Sequence, residues 1–233
     1  MAEMTVSAAA AELGVTERQV TRLARAGALP ITREIGKSIL LDAASVLRMA
    51  HTTRHRSRPW NGNVAWAALA LLSARPVNWI SPPHITRLKH RLRRSSPSEV
   101  AFLARRRAHT RRMQGWGDDA NTLVTGGSIT ATGPSALAHV PGTAARFGLS
   151  PVVRDTVDGY ITDDRVNDVI DTFGLIPEHE GHITLRVVTD LNPFFTSTTL
   201  PIAAVAVDLM ESLDTRERSA GTRVLQELLD DIG

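Results

Sequence analysis

An α+β fold, mainly helical, is predicted for this chain of 233 residues from three observations. Helix-start signals recur along it: Thr16, Ser96 and Asp214 stand three residues before Gln19, Glu99 and Glu217. Apolar residues follow those starts at helical spacing, whereas only short runs such as Ile31 to Ile35 and Ile183 to Val187 alternate as strands do. Apolar residues make up 42% and charged residues 22%, the balance of a globular chain rather than a disordered one. The length suits two compact units or one large one.

With no cysteine, the chain has no disulfide framework, thiol nucleophile or cysteine-ligated metal, and a reducing cytoplasm is the expected compartment. Met1 to Thr5 shows no basic stretch followed by an apolar one, and nowhere do 18 apolar residues run uninterrupted. The chain is therefore expected to be neither secreted nor membrane-spanning.

Net charge of +3 hides a partition. Residues 1 to 50 balance to +1, residues 51 to 117 to +13, and residues 118 to 233 to −11. Four segments are expected: a compact domain over 1 to 50, a basic linker over 51 to 62, a basic helical region over 63 to 117 and an acidic α/β domain over 118 to 233. A basic stretch fits a polyanion and an acidic one a cationic surface; mutual neutralisation of the two is the alternative. Of the 27 basic residues 25 are arginine, a bias that base composition alone can produce.

In the first fifty residues Ser7 is expected to cap a helix through Leu13 that stops at Gly14. A capping box at Thr16 and Gln19 starts the second helix, which ends at Gly27. Its inward stripe is Val20, Leu23 and Ala24, leaving Arg18, Thr21, Arg22 and Arg25 outside. Ile31 to Ile35 and Ile39 to Leu41 form a hairpin about Gly36, and Asp42 caps a third helix with Ala43, Val46, Leu47 and Ala50 inward. Two helices joined by Gly14 and Val15, the second cationic, match a helix-turn-helix whose second helix enters the major groove. The expected DNA-contacting residues are Thr16, Arg18, Gln19, Thr21, Arg22 and Arg25, with guanidiniums reading base edges, and Arg33 and Lys37 of the hairpin on phosphates. A merely solvated arginine face is the other reading of that helix.

The run Thr5 to Val20, followed by Arg22-Leu23 and Ala26 to Pro30, resembles the winged helix-turn-helix of excisionase and MerR-like families over about the first fifty residues. That resemblance implies a β-hairpin wing and duplex DNA as partner.

In the basic stretch, Asn63 to Ser73 is apolar almost all round and predicts a buried helix, with Trp60 and Trp66 as core anchors. Pro83 to Arg94 predicts an amphipathic helix with Ile85, Leu88 and Leu92 inward. Pro97 to about Ala108 predicts another, whose terminal Arg105, Arg106 and Arg107 complement the helix dipole. The two basic helices read as a packed hairpin, or else as a second helix-turn-helix.

In the acidic part, the glycine-rich run 126 to 134 lacks the lysine of a phosphate-binding loop. Val152-Val153 predicts a short strand, Asp158-Gly159 a turn, and Thr162 the cap of a helix through Phe173 with Val166, Val169 and Ile170 inward. His182 to Thr189 predicts a half-buried strand and Pro201 to Leu213 a buried helix. Asp214 and Glu217 predict the cap of a final helix that packs Val224, Leu225, Leu228 and Leu229. Glu178, His179, Glu180 and His182 have the types of metal ligands but no helix signal to fix their spacing, so exposed loop residues are expected. With no nucleophile elbow, H-E-x-x-H or supported carboxylate pair, neither an enzyme nor a metal or other cofactor is expected.

Ala203 to Ser212, Asp214 to Arg218 and the final helix through Leu229 resemble the end of AbiEi-family antitoxins. The resemblance covers about thirty residues. It implies an antitoxin of a type IV toxin–antitoxin system that represses its own promoter through the winged domain and neutralises a nucleotidyltransferase toxin through the rest. The excisionase-like start departs from the usual AbiEi winged domain, which leaves the operator architecture open. A one-component regulator with a small-molecule-binding C-terminal domain is the alternative, and an excisionase-like recombination factor a third.

Overall fold

Thr5, rather than Ser7, caps the first helix, because residues 3 to 5 are drawn into a strand that ends there. In the computed structural model, which describes residues 3–36, 38–52, 58–116, 119–189 and 199–232, the chain divides into two units, Met1–Arg56 and Ser57–Gly233.

The first unit runs β1 (Glu3–Thr5), α1 (Val6–Leu13), α2 (Glu17–Arg25), β2 (Ile31–Ile35), β3 (Ser38–Asp42) and α3 (Ala43–Thr52). Its three-stranded antiparallel sheet has the order β1-β3-β2, with Met4 opposite Leu41 and Arg33 opposite Leu40. Strand β1, with three residues and no alternation, was beyond pattern reading. The Thr5 hydroxyl accepts the Ala8 N–H, and Gly14, at φ +63, closes α1 in the left-handed conformation that side chains resist. Asp42 caps α3 as expected, accepting from the Ala44 and Ser45 amides at 3.3 and 2.8 Å. Ala9, Leu13, Val20, Leu29, Leu41, Val46 and Ala50 form a small core, while Leu47 is only half-buried.

The second unit begins with α4 (Gly62–Leu72), α5 (Pro82–Leu92), α6 (Pro97–Leu103), a 3-10 turn (Ala104–Arg106) and β4 (His109–Gln114). It continues with α7 (Asp119–Thr125), β5 (Thr130–Ala131), α8 (Gly133–His139), α9 (Thr143–Arg146), β6 (Val157–Thr162), α10 (Val166–Thr172), β7 (Ile176–Pro177) and β8 (Ile183–Val188). It closes with α11 (Ile202–Met210) and α12 (Thr215–Asp230). The five-stranded sheet has the order β5-β6-β8-β4-β7, parallel between β6 and β8 and antiparallel elsewhere.

Each face of this sheet has its own core. Met113, Leu123, Val157, Ile161, Val166, Ile183, Leu185 and Val187 pack on the side of α7 and α10. Trp66, Leu92, Val100, Tyr160, Val188, Leu209, Val224 and Leu225 pack on the side of the other helices. The basic and acidic segments thus contribute to both cores, because the charge step lies on the surface while the apolar residues of both are inside. No helix among the described residues is long and apolar enough to cross a membrane.

Several local expectations fail where tertiary pairing outweighs local preference. Helix α6 stops at Leu103 instead of running to Ala108, and His109 to Gln114 become a strand by pairing with β8. Asp158 and Gly159 are not a turn; they lie inside β6, opposite Thr184 and Leu185, and a Cβ at Gly159 would come within 2.6 Å of the Ile129 side chain. Val152 and Val153 form no strand and are 54% and 68% exposed. Helix α10 begins at Val166 without a side-chain cap, after a turn that replaces the expected Thr162 start. Strand β8 is buried on both faces rather than one, since helices cover both sides of the sheet. Glu217 does not complete a capping box: Asp214 alone caps α12, and the buried Glu217 accepts the Ser212 hydroxyl and pairs with Arg154 at 2.7 Å.

Candidate functional site

The turn at Gly14 and Val15 delivers the chain to α2 with its cap formed. The Thr16 hydroxyl accepts the Gln19 N–H at 3.3 Å, and the Gln19 side chain accepts the Thr16 N–H at 3.2 Å. Both side chains are thereby committed to holding the helix start. Thr21 donates its hydroxyl to the Glu17 carbonyl at 2.9 Å, which also keeps it within the helix. Val20 and Ala24 are buried, so the opposite face points outward. There Arg18, Arg22 and Arg25, spaced i, i+4 and i+7, are all exposed. Among the described residues none of the three is held in an ion pair. Three uncompensated guanidiniums on one side of a nine-residue helix can donate to phosphates or, bidentately, to guanine edges.

The hairpin differs from this. Arg33 is exposed but grips Glu3 of β1 with two hydrogen bonds, Nη2 to Oε2 at 2.6 Å and Nε to Oε1 at 3.3 Å. That hydrogen bonding holds the Glu3 carboxyl below its ordinary range and the Arg33 guanidinium above its own. A phosphate reaching Arg33 meets a cation already paired with a carboxylate. Lys37 lies outside the described residues. The residue at the hairpin turn, Ile35, is 57% exposed.

A second constellation, absent from the sequence reading, lies buried in the second unit. Arg107 follows the 3-10 turn, Thr132 precedes α8, Asp158 and Tyr160 sit on β6, Arg186 on β8, and Asp208 and Glu211 on and just after α11. Arg107 pairs with Asp208, donates to Glu211 at 2.8 Å and to the Tyr160 hydroxyl at 2.8 Å. Arg186 clamps Asp158 through two bonds of 2.7 and 2.8 Å and reaches Glu211 at 2.7 Å. Thr132 donates to Asp208 at 2.5 Å. The indole of Trp66 donates to the Arg107 carbonyl at 2.9 Å and meets the Tyr160 ring edge-on at 5.1 Å between centroids.

Three carboxylates face two guanidiniums here, and burial decides how the charge settles. Burial by itself raises the Glu211 carboxyl, but Arg107 and Arg186 outweigh it and bring it to about 2. For Asp158 burial prevails and pushes the carboxyl up despite Arg186. Burial also pushes the Tyr160 phenol well up, keeping it a neutral donor, while the neighbouring carboxylates hold both guanidiniums well above their ordinary values against burial. Every member is engaged by another, so the cluster acts as a lock joining α11 to the sheet and to the segment after α6. The signal that could have found it is in the sequence: Asp208 stands alone in an apolar helix and Arg186 in an apolar strand, and buried charges require partners.

His179 Nδ1 lies 3.0 Å from Glu178 Oε1 in an exposed loop. Among the described residues, no group of three or more His, Cys, Asp or Glu side chains is placed to hold a metal ion. No family model, curated protein or solved structure matches the chain.

Proposed function

We propose that the first unit binds duplex DNA through the outer face of α2 and that the chain is a transcriptional repressor of its own promoter. The observation that carries this is the row of exposed, unpaired Arg18, Arg22 and Arg25 on a short helix whose start is fixed by a capping box. In this reading α1 and α2 are a helix-turn-helix and the β2–β3 hairpin its wing. Helix α2 enters the major groove, its guanidiniums meet base edges, and Thr16 and Gln19 serve by setting the angle of entry. The wing contributes less phosphate contact than its sequence promised, since Glu3 already occupies Arg33. The resemblance of residues 203 to 229 to AbiEi antitoxins extends the reading to the second unit, whose acidic segment, residues 118 to 233, neutralises a nucleotidyltransferase toxin by charge complementarity.

Fluorescence anisotropy of the full chain on a duplex of its promoter tests the first part. Arg22→Ala is expected to weaken binding by about 1–3 kcal/mol; affinity equal to that of the unsubstituted chain would remove α2 as the reading helix. For the second part, co-expression with a nucleotidyltransferase encoded beside this chain is expected to restore growth. Continued growth arrest with both proteins soluble would end the antitoxin reading.

A further inference from the structure

Helix α5 carries a second cationic surface, and it lies in the other unit. Its inward residues are Leu88 and Leu92, both buried. Arg87, His90 and Arg91 are exposed, as are Arg93 and Arg94 in the turn that closes the helix, and no acidic residue occurs between Pro82 and Arg94. Glu99 is the one acidic residue anywhere from 51 to 117, and it is taken by Arg91. Arg93 is turned to the Ile232 carbonyl at 3.4 Å. Among the described residues Arg87, Lys89 and Arg94 are held by no ion pair, even though Asp230 and Asp231 close the very helix whose end Arg93 reaches.

This arrangement works against the helix itself. Arg87 with Arg91, and Lys89 with Arg93, are like charges one turn apart, each pair unfavourable in isolation. The dipole at a helix C-terminus favours cations only within the last turn, and Arg87 lies outside it. A polyanion laid along the outer face would relieve that repulsion. Arg87 and Arg94 stand seven residues apart along helix and turn, about 10 Å at 1.5 Å per residue, so both can meet phosphates of one strand at once.

We propose that α5 is a sequence-independent docking surface for the sugar-phosphate backbone of duplex DNA. The second unit then adds electrostatic affinity, while any reading of bases belongs to α2. The proposal shares its ligand with the function proposed above but does not require α2 to read sequence.

The test is the salt dependence of binding by the full chain, on its promoter duplex and on a shuffled duplex. Each phosphate neutralised contributes about 0.9 to the slope of log affinity against log salt. Arg87→Ala/Arg94→Ala is expected to lower that slope by about two on both duplexes and to leave the preference between them unchanged. Arg18→Ala/Arg22→Ala is expected to abolish the preference while keeping salt-dependent binding to the shuffled duplex. Unaltered slopes in the α5 variant, with an unaltered circular dichroism melt, overturn the proposal whatever α2 does. That outcome would leave α5 to an acidic protein surface. No preference for the promoter in the unsubstituted chain, with a reduced slope in the α5 variant, overturns the α2 reading alone. No DNA binding by any form overturns both.

Discussion

Arg107 shows how far one side chain's role depends on its surroundings. At the end of a basic run it reads as a solvated helix-end cation, like Arg105 and Arg106, which are indeed exposed. The chain instead leaves the helix at Leu103, and the 3-10 turn swings Arg107 inward, where its side chain is 2% exposed. Its guanidinium satisfies Asp208, Glu211, Tyr160 and the Ala104 carbonyl together. Arg107→Ala takes the nearest cation from the fully buried Asp208 but leaves it Arg186 at 3.1 Å and the Thr132 and Tyr160 hydroxyls, so the expected cost is about 3 kcal/mol, the low end of the range for breaking a buried pair. A loss of that size is expected in urea denaturation followed by tryptophan fluorescence; a loss below about 1 kcal/mol would show the pair to be replaceable by water. Exposed pairs such as Arg223 with Glu227 are worth far less, since solvent screens them.

Between elements, α11 and α12 pack closely. Gly221 permits it: a Cβ there would stand 2.6 Å from the Ala206 carbonyl oxygen and 3.1 Å from the Leu209 Cβ. Two effects of Gly221→Ala compete. Alanine favours the helix by about 1 kcal/mol, while forcing a methyl group against a backbone carbonyl in a packed interface costs about 1–3 kcal/mol. The contact is with backbone, which cannot rotate away, so net destabilisation is expected as a lower thermal midpoint; a raised midpoint would mean the helices slide apart freely. The elements themselves divide by how much they owe to local chemistry. Helix α2 was legible because capping box, stripe and terminal glycine all lie within twelve residues. Strand β4, His-Thr-Arg-Arg-Met-Gln, has no alternation of its own and exists because Thr110, Arg111 and Arg112 lie opposite Arg186, Leu185 and Thr184 of β8.

On the scale of the whole chain, the two units have separate apolar cores, and all four tryptophans, Trp60, Trp66, Trp79 and Trp116, belong to the second. Tryptophan fluorescence therefore follows the second unit only. Leu41→Ala, at a fully buried position in the first core, removes about 2–5 kcal/mol, a large share of what a unit of some fifty residues holds. DNA binding is expected to be lost while the tryptophan-monitored urea midpoint stays in place. A parallel fall in that midpoint would show that the units unfold together.

By itself the sequence determined the starts of α2, α3, α6 and α12, the inward stripes, the hairpin and the outward arginines of α2. Each of these is set by neighbours within about one helical turn or one strand turn, where capping and periodicity act. Only the tertiary structure decided that Asp158 and Gly159 lie in a strand, that Glu3 claims Arg33, and that the basic and acidic segments close around shared cores. It also decided where Arg107, Arg186, Asp208 and Glu211 meet. Those outcomes depend on residues 22 to 104 positions apart, and a buried charge finds its partner through the fold, leaving in the sequence only the sign that a partner is needed.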